Sequence, residues 1–215
     1  MSVGTLVILN GTTSAGKSSV QRALMDLADE PWLAAGVDHF WRFIFGKYNG
    51  LTPPADQGFH WIGRFEGDTL YVDDLRTGPV GDRFFTGMHH AIRAFLNAGL
   101  NVVADHCLWD QRLVEQCAAV FSDVDAWMVG LHPPLEVSET WERQRTDKQI
   151  LGMSRAVQRL MDGTQVEYDL TFDTSRFSPQ ACATEILQAV QGRPPEALRR
   201  MAASGDTASR TGAPG

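Results

Sequence analysis

Short apolar runs alternate with longer amphipathic stretches along most of this 215-residue chain. Val3 to Leu9, Leu100 to Ala104 and the segment VDAWMVGLH from Val124 are aliphatic and β-branched with little polar alternation, the pattern of strands buried on both faces. Between them, Ser18 to Leu27 places Val20, Leu24 and Leu27 at helical spacing. FFTGMHHAIRAFLNAG reads as an amphipathic helix closed by Gly99, and LEVSETWERQR follows Pro133 and Pro134 as a charged helix. YDLTFDTS is a last strand, after which Ser175 or Ser178 caps the helix PQACATEILQAV, with Pro179 in its first turn. Such alternation predicts an α/β fold: a parallel sheet with right-handed crossovers and flanking helices, binding its ligands at the carboxyl ends of the strands.

Two segments depart from the alternation. Asn49 to Asp82 is rich in proline and glycine and contains a hairpin pattern, FHWIGRFEGDTLYV, turning near Gly67 and Asp68. An insertion here, over about residues 46–82, is a natural place for substrate specificity. After Gln191 the chain runs GRPPEALRRMAASGDTASRTGAPG, which predicts a frayed helix around Glu196 to Ala203 and then a flexible tail. The expected organisation is therefore one domain over residues 1–191 and a tail over 192–215.

The segment ILNGTTSAGKSSVQ carries the chemistry most plainly. Gly11, Gly16, Lys17 and Ser18 stand in the order G-x-x-x-x-G-K-S between a strand and a helix, the context of a phosphate-binding P-loop. Backbone N–H groups across Gly11, Thr12, Thr13, Ser14, Ala15, Gly16, Lys17, Ser18 and Ser19 are expected to cradle phosphate oxygens, helped by the helix N-terminus. Lys17 would reach the β- and γ-phosphates, and the Ser18 hydroxyl would ligate Mg²⁺. ATP and Mg²⁺ are the expected cofactors and a P-loop NTPase fold with a small lid is the expected architecture.

Composition narrows the partners. The net charge of −7 argues against nucleic acid as the main partner. No apolar run approaches membrane-spanning length, and no basic leader precedes the first one, so a cytoplasmic protein without a membrane partner is expected. Cys107, Cys117 and Cys182 lack metal-type spacing and are expected as free thiols. Homo-oligomerisation stays open. No N-K-x-D guanine reader and no D-x-x-G switch sequence occurs, which disfavours a regulatory GTPase.

Several side chains have two readings each. Asp38 follows a short apolar stretch where a strand should end near the P-loop, so it is either a base for an acceptor hydroxyl or a helix cap. Asp105 ends a strand and either holds Mg²⁺ or caps a turn. Arg143, Arg145 and Lys148 are either solvated helix charge or part of a lid, over about residues 136–160, that closes on the nucleotide. His89, His90, His106 and His132 are expected on helix surfaces or loops rather than as ligands or bases. Phe40, Trp41, Phe43 and Phe45 are either core or an aromatic wall for an acceptor.

The phrases ILNGTTSAGKSS, EPWLAAGVDHF, AGLNVVADHCLW and VEYDLTFDTS together resemble the chloramphenicol phosphotransferase-like family, small P-loop kinases similar in fold to adenylate, gluconate and shikimate kinases. The resemblance covers roughly residues 5 to 191. It implies that Asp38, in G-V-D, is the base, that Asp105 attends the metal, and that Arg145 and Lys148 are lid cations. Gly152 and Met153 match the segment beyond the lid. His106 departs from the pattern, since the family's founding member has a second Asp there. The implied activity is ATP-dependent phosphorylation of a hydroxyl on a small molecule, such as the antibiotic chloramphenicol, with catalysis by Asp38, Lys17, Arg145 and Lys148. A metabolic kinase for a sugar acid or nucleoside, or an ATP-binding protein without chemistry, are the alternatives.

Overall fold

The computed structural model describes residues 2–44, 46–146 and 150–211. In chain order the elements begin β1 (Leu6–Asn10), α1 (Lys17–Leu27), β2 (Trp32–Gly36), α2 (Val37–Phe40), β3 (Asn49–Gly50), β4 (Phe59–Glu66), β5 (Thr69–Thr77) and α3 (Pro79–Asn97). They continue with β6 (Asn101–His106), α4 (Gln111–Phe121), β7 (Ala126–Leu131), α5 (Leu135–Gln144), β8 (Ile150–Leu151), α6 (Met153–Met161), β9 (Leu170–Phe172), α7 (Pro179–Gly192) and α8 (Ala197–Thr211). A five-stranded parallel sheet has the order β2-β6-β1-β7-β9.

The central strands carry apolar side chains through Leu6–Leu9, Val102–Ala104 and Ala126–Val129 because both sheet faces are covered. Leu6 and Ile8 of β1, Val102 and Ala104 of β6 and Met128 of β7 join one core with Phe85, Met88, Ile92 and Leu96 of α3 and Val114 and Cys117 of α4. The intervening Val7, Leu9, Val103, Trp127 and Val129 point the other way, against Val20 and Leu24 of α1 and Cys182, Ala183 and Ile186 of α7. Ser178 supplies the α7 cap, its hydroxyl accepting the Ala181 N–H at 3.1 Å.

The proline- and glycine-rich segment forms the expected hairpin, with β4 and β5 antiparallel around Gly67 and Asp68 and a bulge at Ile62/Gly63. β8, from the lid segment, pairs with β5, so hairpin and lid share one four-stranded sheet of order β3-β4-β5-β8. The helix expected around Glu196 is present as α8, and its Ala197 and Leu198 are fully buried in the α3–α4 core, a docking the local pattern does not show. Asp169 holds its start: its Oδ1 accepts the N–H groups of Glu196 and Ala197 at 2.7 and 3.0 Å, a cap supplied from 27 residues away and invisible to local pattern.

The closest approach in the sheet lies at the carboxyl end of β2. Gly36 has φ 111° and ψ −166°, a region open in practice only to glycine, and a Cβ there would stand 2.1 Å from the Asp105 carbonyl oxygen. A side chain must therefore push β2 off β6. Gly36→Ala should lower the urea-unfolding free energy by about 2 kcal/mol or more, and an unchanged midpoint would contradict this packing.

Candidate active site

The carboxyl ends of β1, β6 and β2 lie level, because Leu9 pairs with Asp105 and Asp105 with Gly36. The loop after β1, the end of β6 and the start of α2 therefore open into one cleft of about 640 Å³. Thr13 to Ser19 line its floor, together with Asp38, Asp105, Cys107, Glu142 and Arg145.

The P-loop has the backbone that phosphate binding requires. Gly16 has φ 86° at the N-terminus of α1, and Ser14, a non-glycine residue, is also left-handed at φ 57°. Gly11 is obligatory for closeness, since a Cβ would stand 2.5 Å from the Leu131 carbonyl. Lys17 is buried, and its ammonium donates to the carbonyls of Gly11 at 2.8 Å and Thr12 at 2.6 Å and to Cys107 Sγ at 3.3 Å. Burial pushes the Cys107 thiol up, against the opposing pull of the Lys17 charge, so this cysteine stays protonated. All three cysteines are free and buried.

Two polar atoms at the floor lack hydrogen-bond partners among the described residues: Ser14 Oγ and Asp105 Oδ1. Each leaves an unmet demand worth about 1–3 kcal/mol. Asp105 Oδ2 accepts the Asp38 N–H at 3.3 Å, while Oδ1 stands 3.8 Å from His39 Nδ1, ion-pair range but too long for a hydrogen bond. The Asp105 carboxylate raises the pKa of His39. Asp38 itself is exposed to the cleft and makes no capping bond for α2, so the helix-cap role weighed from sequence is not the one it plays.

Aromatic and aliphatic groups close the other half of the cleft. Trp41 packs on Phe59 at 4.3 Å between ring centroids, Trp61 and Leu75 come from β4 and β5, and Trp109, Met153 and Val157 complete the wall. Trp109 donates its indole N–H to Thr77 Oγ1 at 3.1 Å, whereas Trp61 Nε1 has no partner among the described residues. Of the aromatic run read from sequence, Trp41 faces the cleft, Phe40 packs against the core, Phe43 is exposed, and Phe45 lies outside the described residues. Arg145 lines the cleft, Arg143 turns to Thr140 on the surface of α5, and Lys148 lies outside the described residues.

Two histidines expected on helix surfaces or loops are instead core. His106 Nδ1 accepts the Cys107 N–H, so its proton sits on Nε2 and is donated to His89 Nε2 at 2.7 Å. Burial lowers the pKa of His89 to about 4, outweighing an opposing polar contact with Gln116, and burial lowers that of His106 well below the usual histidine range. His90 is exposed, and His132 is half-buried with its ring against Tyr168.

Sequence reasoning missed Glu142 and Ser154. Glu142 is 5% exposed although it sits in the charged run WERQR. Its carboxylate accepts the Gly152 N–H at 2.7 Å and, on the other oxygen, the Ser154 N–H at 2.8 Å. No sequence signal marks it, because its partners come from the next helix.

A parallel sheet with a P-loop after its first strand, an acidic residue ending the neighbouring strand and a second small sheet over the cleft is the fold shared with solved P-loop kinases. The chain belongs to the family of chloramphenicol phosphotransferase-like proteins, which matches residues 4–191. It is 33% identical over 202 residues to "Putative O-phosphotransferase Rv2636" of Mycobacterium tuberculosis, covering 94% of this chain and 89% of that protein. Among solved structures it is similar to the tunicamycin resistance protein of Deinococcus radiodurans, with a TM-score of 0.59 and 14% identity over 89% of this chain and 98% of that one. It is also similar to the APS kinase CysC of Mycobacterium tuberculosis in complex with AMPPNP and APS, with a TM-score of 0.57 and 15% identity over 89% of this chain and all of the other. At these identities the structural likeness is one of fold.

The histidine pair generates a pH prediction. Both groups are free to protonate near pH 6.5 in the unfolded chain and only at much lower pH in the folded one. The unfolded state therefore binds more protons, and stability falls as pH drops from about 6.5 towards 4. His39, whose pKa is raised, contributes in the opposite sense but is half-exposed. Urea midpoints should fall by the equivalent of about 1 kcal/mol or more between pH 7 and pH 5, and His89→Gln should flatten that dependence. A flat wild-type profile would contradict a neutral buried pair.

Proposed function

We propose that this protein transfers the γ-phosphoryl group of ATP to a hydroxyl of a small molecule with an apolar body, antibiotics such as chloramphenicol being the first acceptors to test. The observation that carries the reading is the placement of Asp38 in one cleft with the Lys17 ammonium and the Asp105 carboxylate, next to a wall of tryptophans. Family membership and the 33%-identical relative named as an O-phosphotransferase support the same direction.

In this reading the backbone N–H groups of Gly11 to Ser19 take the triphosphate, and the unpartnered Ser14 Oγ and Asp105 Oδ1 suit a polyphosphate and its metal. Ser18, whose hydroxyl is exposed to the cleft, and Asp105 would hold Mg²⁺, which supplies neutralisation of phosphate charge. Lys17 leaves the loop carbonyls for the β- and γ-oxygens, and Arg145 adds charge as the transition state develops. Asp38 accepts the acceptor's hydroxyl proton while that oxygen bonds to the γ-phosphorus and the bond to the β-γ bridging oxygen breaks. The products are the phosphorylated alcohol and ADP. The reaction belongs in the cytoplasm, where ATP is abundant, and needs no nucleic acid.

The direct test incubates purified protein with ATP, Mg²⁺ and a panel of hydroxyl-bearing antibiotics, sugar acids and nucleosides, and reads product mass for one added phosphate. Asp38→Asn should keep nucleotide affinity while transfer falls about 10²-fold or more. Lys17→Ala should lose turnover by orders of magnitude with the fold retained. Retained transfer in the Asp38→Asn protein would overturn the proposed base.

A further inference from the structure

The first turn of α6 meets three separate parts of the molecule at once. Ser154 is fully buried there. Its carbonyl accepts the Thr12 hydroxyl at 2.6 Å, and its own hydroxyl lies 3.0 Å from the Thr13 carbonyl, 3.0 Å from Glu142 Oε1 and 3.2 Å from Thr13 Oγ1. The single hydroxyl proton serves either the Thr13 carbonyl or the Glu142 carboxylate, and Thr13 donates to the remaining lone pair. Behind it, Glu142 of α5 ties down the Gly152 and Ser154 N–H groups. Gly152, at φ 88°, is pressed so closely on β5 that a Cβ would stand 2.3 Å from the Val72 carbonyl.

The same helix runs along the hairpin. Ala156 packs with Leu70 and Val72, and Arg159 bonds the Asp73 carbonyl and the Asp74 carboxylate. β5 and its partner β4 carry Leu75 and Trp61 into the apolar half of the cleft. A continuous set of short contacts therefore joins the P-loop to the acceptor wall through Ser154.

Thr12 stands at the head of that set and is held at both ends. Its carbonyl holds the Lys17 ammonium at 2.6 Å while its hydroxyl holds Ser154. A phosphate that draws Lys17 away removes the charge from one end of a residue whose other end is bonded to α6. We infer that Ser154 is a positioning residue which, braced by Glu142, transmits nucleotide occupancy from Thr12 and Thr13 to the β4–β5 wall, so that nucleotide and acceptor bind cooperatively. The inference rests on the nucleotide reading of the P-loop given above. By linkage, whatever the nucleotide does to the wall, an acceptor on the wall does to nucleotide affinity.

The test is hydrogen exchange on the full chain with and without AMPPNP and Mg²⁺, which needs no acceptor. AMPPNP should slow exchange at residues 11–19 and, by about tenfold, at the amides of β4 and β5, a coupling of ordinary size. Ser154→Ala, which removes the hydroxyl contacts to Thr13 and Glu142 but leaves the carbonyl that accepts from Thr12, should keep the protection at residues 11–19 and weaken that at β4 and β5. Glu142→Gln, which places an amide N–H against the backbone donors, should do the same and serves if Ser154→Ala does not fold. Protection at the loop without any at β4–β5 in the wild type, or retained β4–β5 protection in both variants, would overturn the coupling while leaving the nucleotide site intact. Absence of protection at residues 11–19 would overturn the nucleotide reading itself, and the coupling with it.

Discussion

The level ending of β1, β6 and β2 at one edge of the sheet is the constraint on which the candidate site depends. Parallel strands covered on both faces leave their carboxyl ends as the one place where loops from several strands can converge. The convergence is tight because Gly36 lets β2 lie against the Asp105 backbone. The Asp105 carboxylate then presents one oxygen to the Asp38 N–H, while the other has no hydrogen-bond partner among the described residues. The geometry that places Asp38 in one cleft with Lys17 thus depends on a glycine with no side chain.

Buried polar atoms divide into two groups around the cleft. Those of the brace are well met: Glu142 accepts from two backbone N–H groups, and Ser154 and Thr12 are paired. Those facing the proposed substrates, Ser14 Oγ, Asp105 Oδ1 and Trp61 Nε1, are not. An unmet buried group costs folding free energy, and these three lie beside the cleft where a bound partner can supply what the chain withholds, whereas, among the described residues, Asn49 Oδ1, His89 Nδ1, Gln116 Oε1 and Ser138 Oγ are unmet away from it. The Lys17 ammonium is held meanwhile by loop carbonyls, which are weaker partners than phosphate oxygens.

The second sheet explains why the hairpin and the lid belong to one device. β8 is only two residues long, yet it joins β5 and brings Gly152 and α6 to the P-loop. The apolar wall therefore rests on the same helix that touches the phosphate end. A hydrophobic pocket with a carboxylate at its edge suits an acceptor whose body is apolar and whose hydroxyl is its reacting point.

The sequence alone determined the elements whose signals are local. Fully apolar strands, helical spacing, the Ser178 cap and G-x-x-x-x-G-K-S are patterns of neighbours, so the α/β alternation, the P-loop at Gly11–Ser18 and the hairpin turn at Gly67 were legible without the fold. The placement of Asp38 and Asp105 was half legible: strand ends could be read, but base and cap are the same residue type until neighbours decide. What only the tertiary structure decided depends on partners far along the chain. His89 and His106 are polar by type, yet packing buries them, with one Nε2–Nε2 hydrogen bond joining them across 17 residues. The helix around Glu196 was legible but its docking was not: Asp169 caps it and the core takes Ala197 and Leu198. Glu142 looks like solvated helix charge, and only the approach of Gly152 and Ser154 makes it a buried acceptor. Hydrophobic periodicity reports which face of an element is covered; it carries no record of which distant donor meets a buried carboxylate.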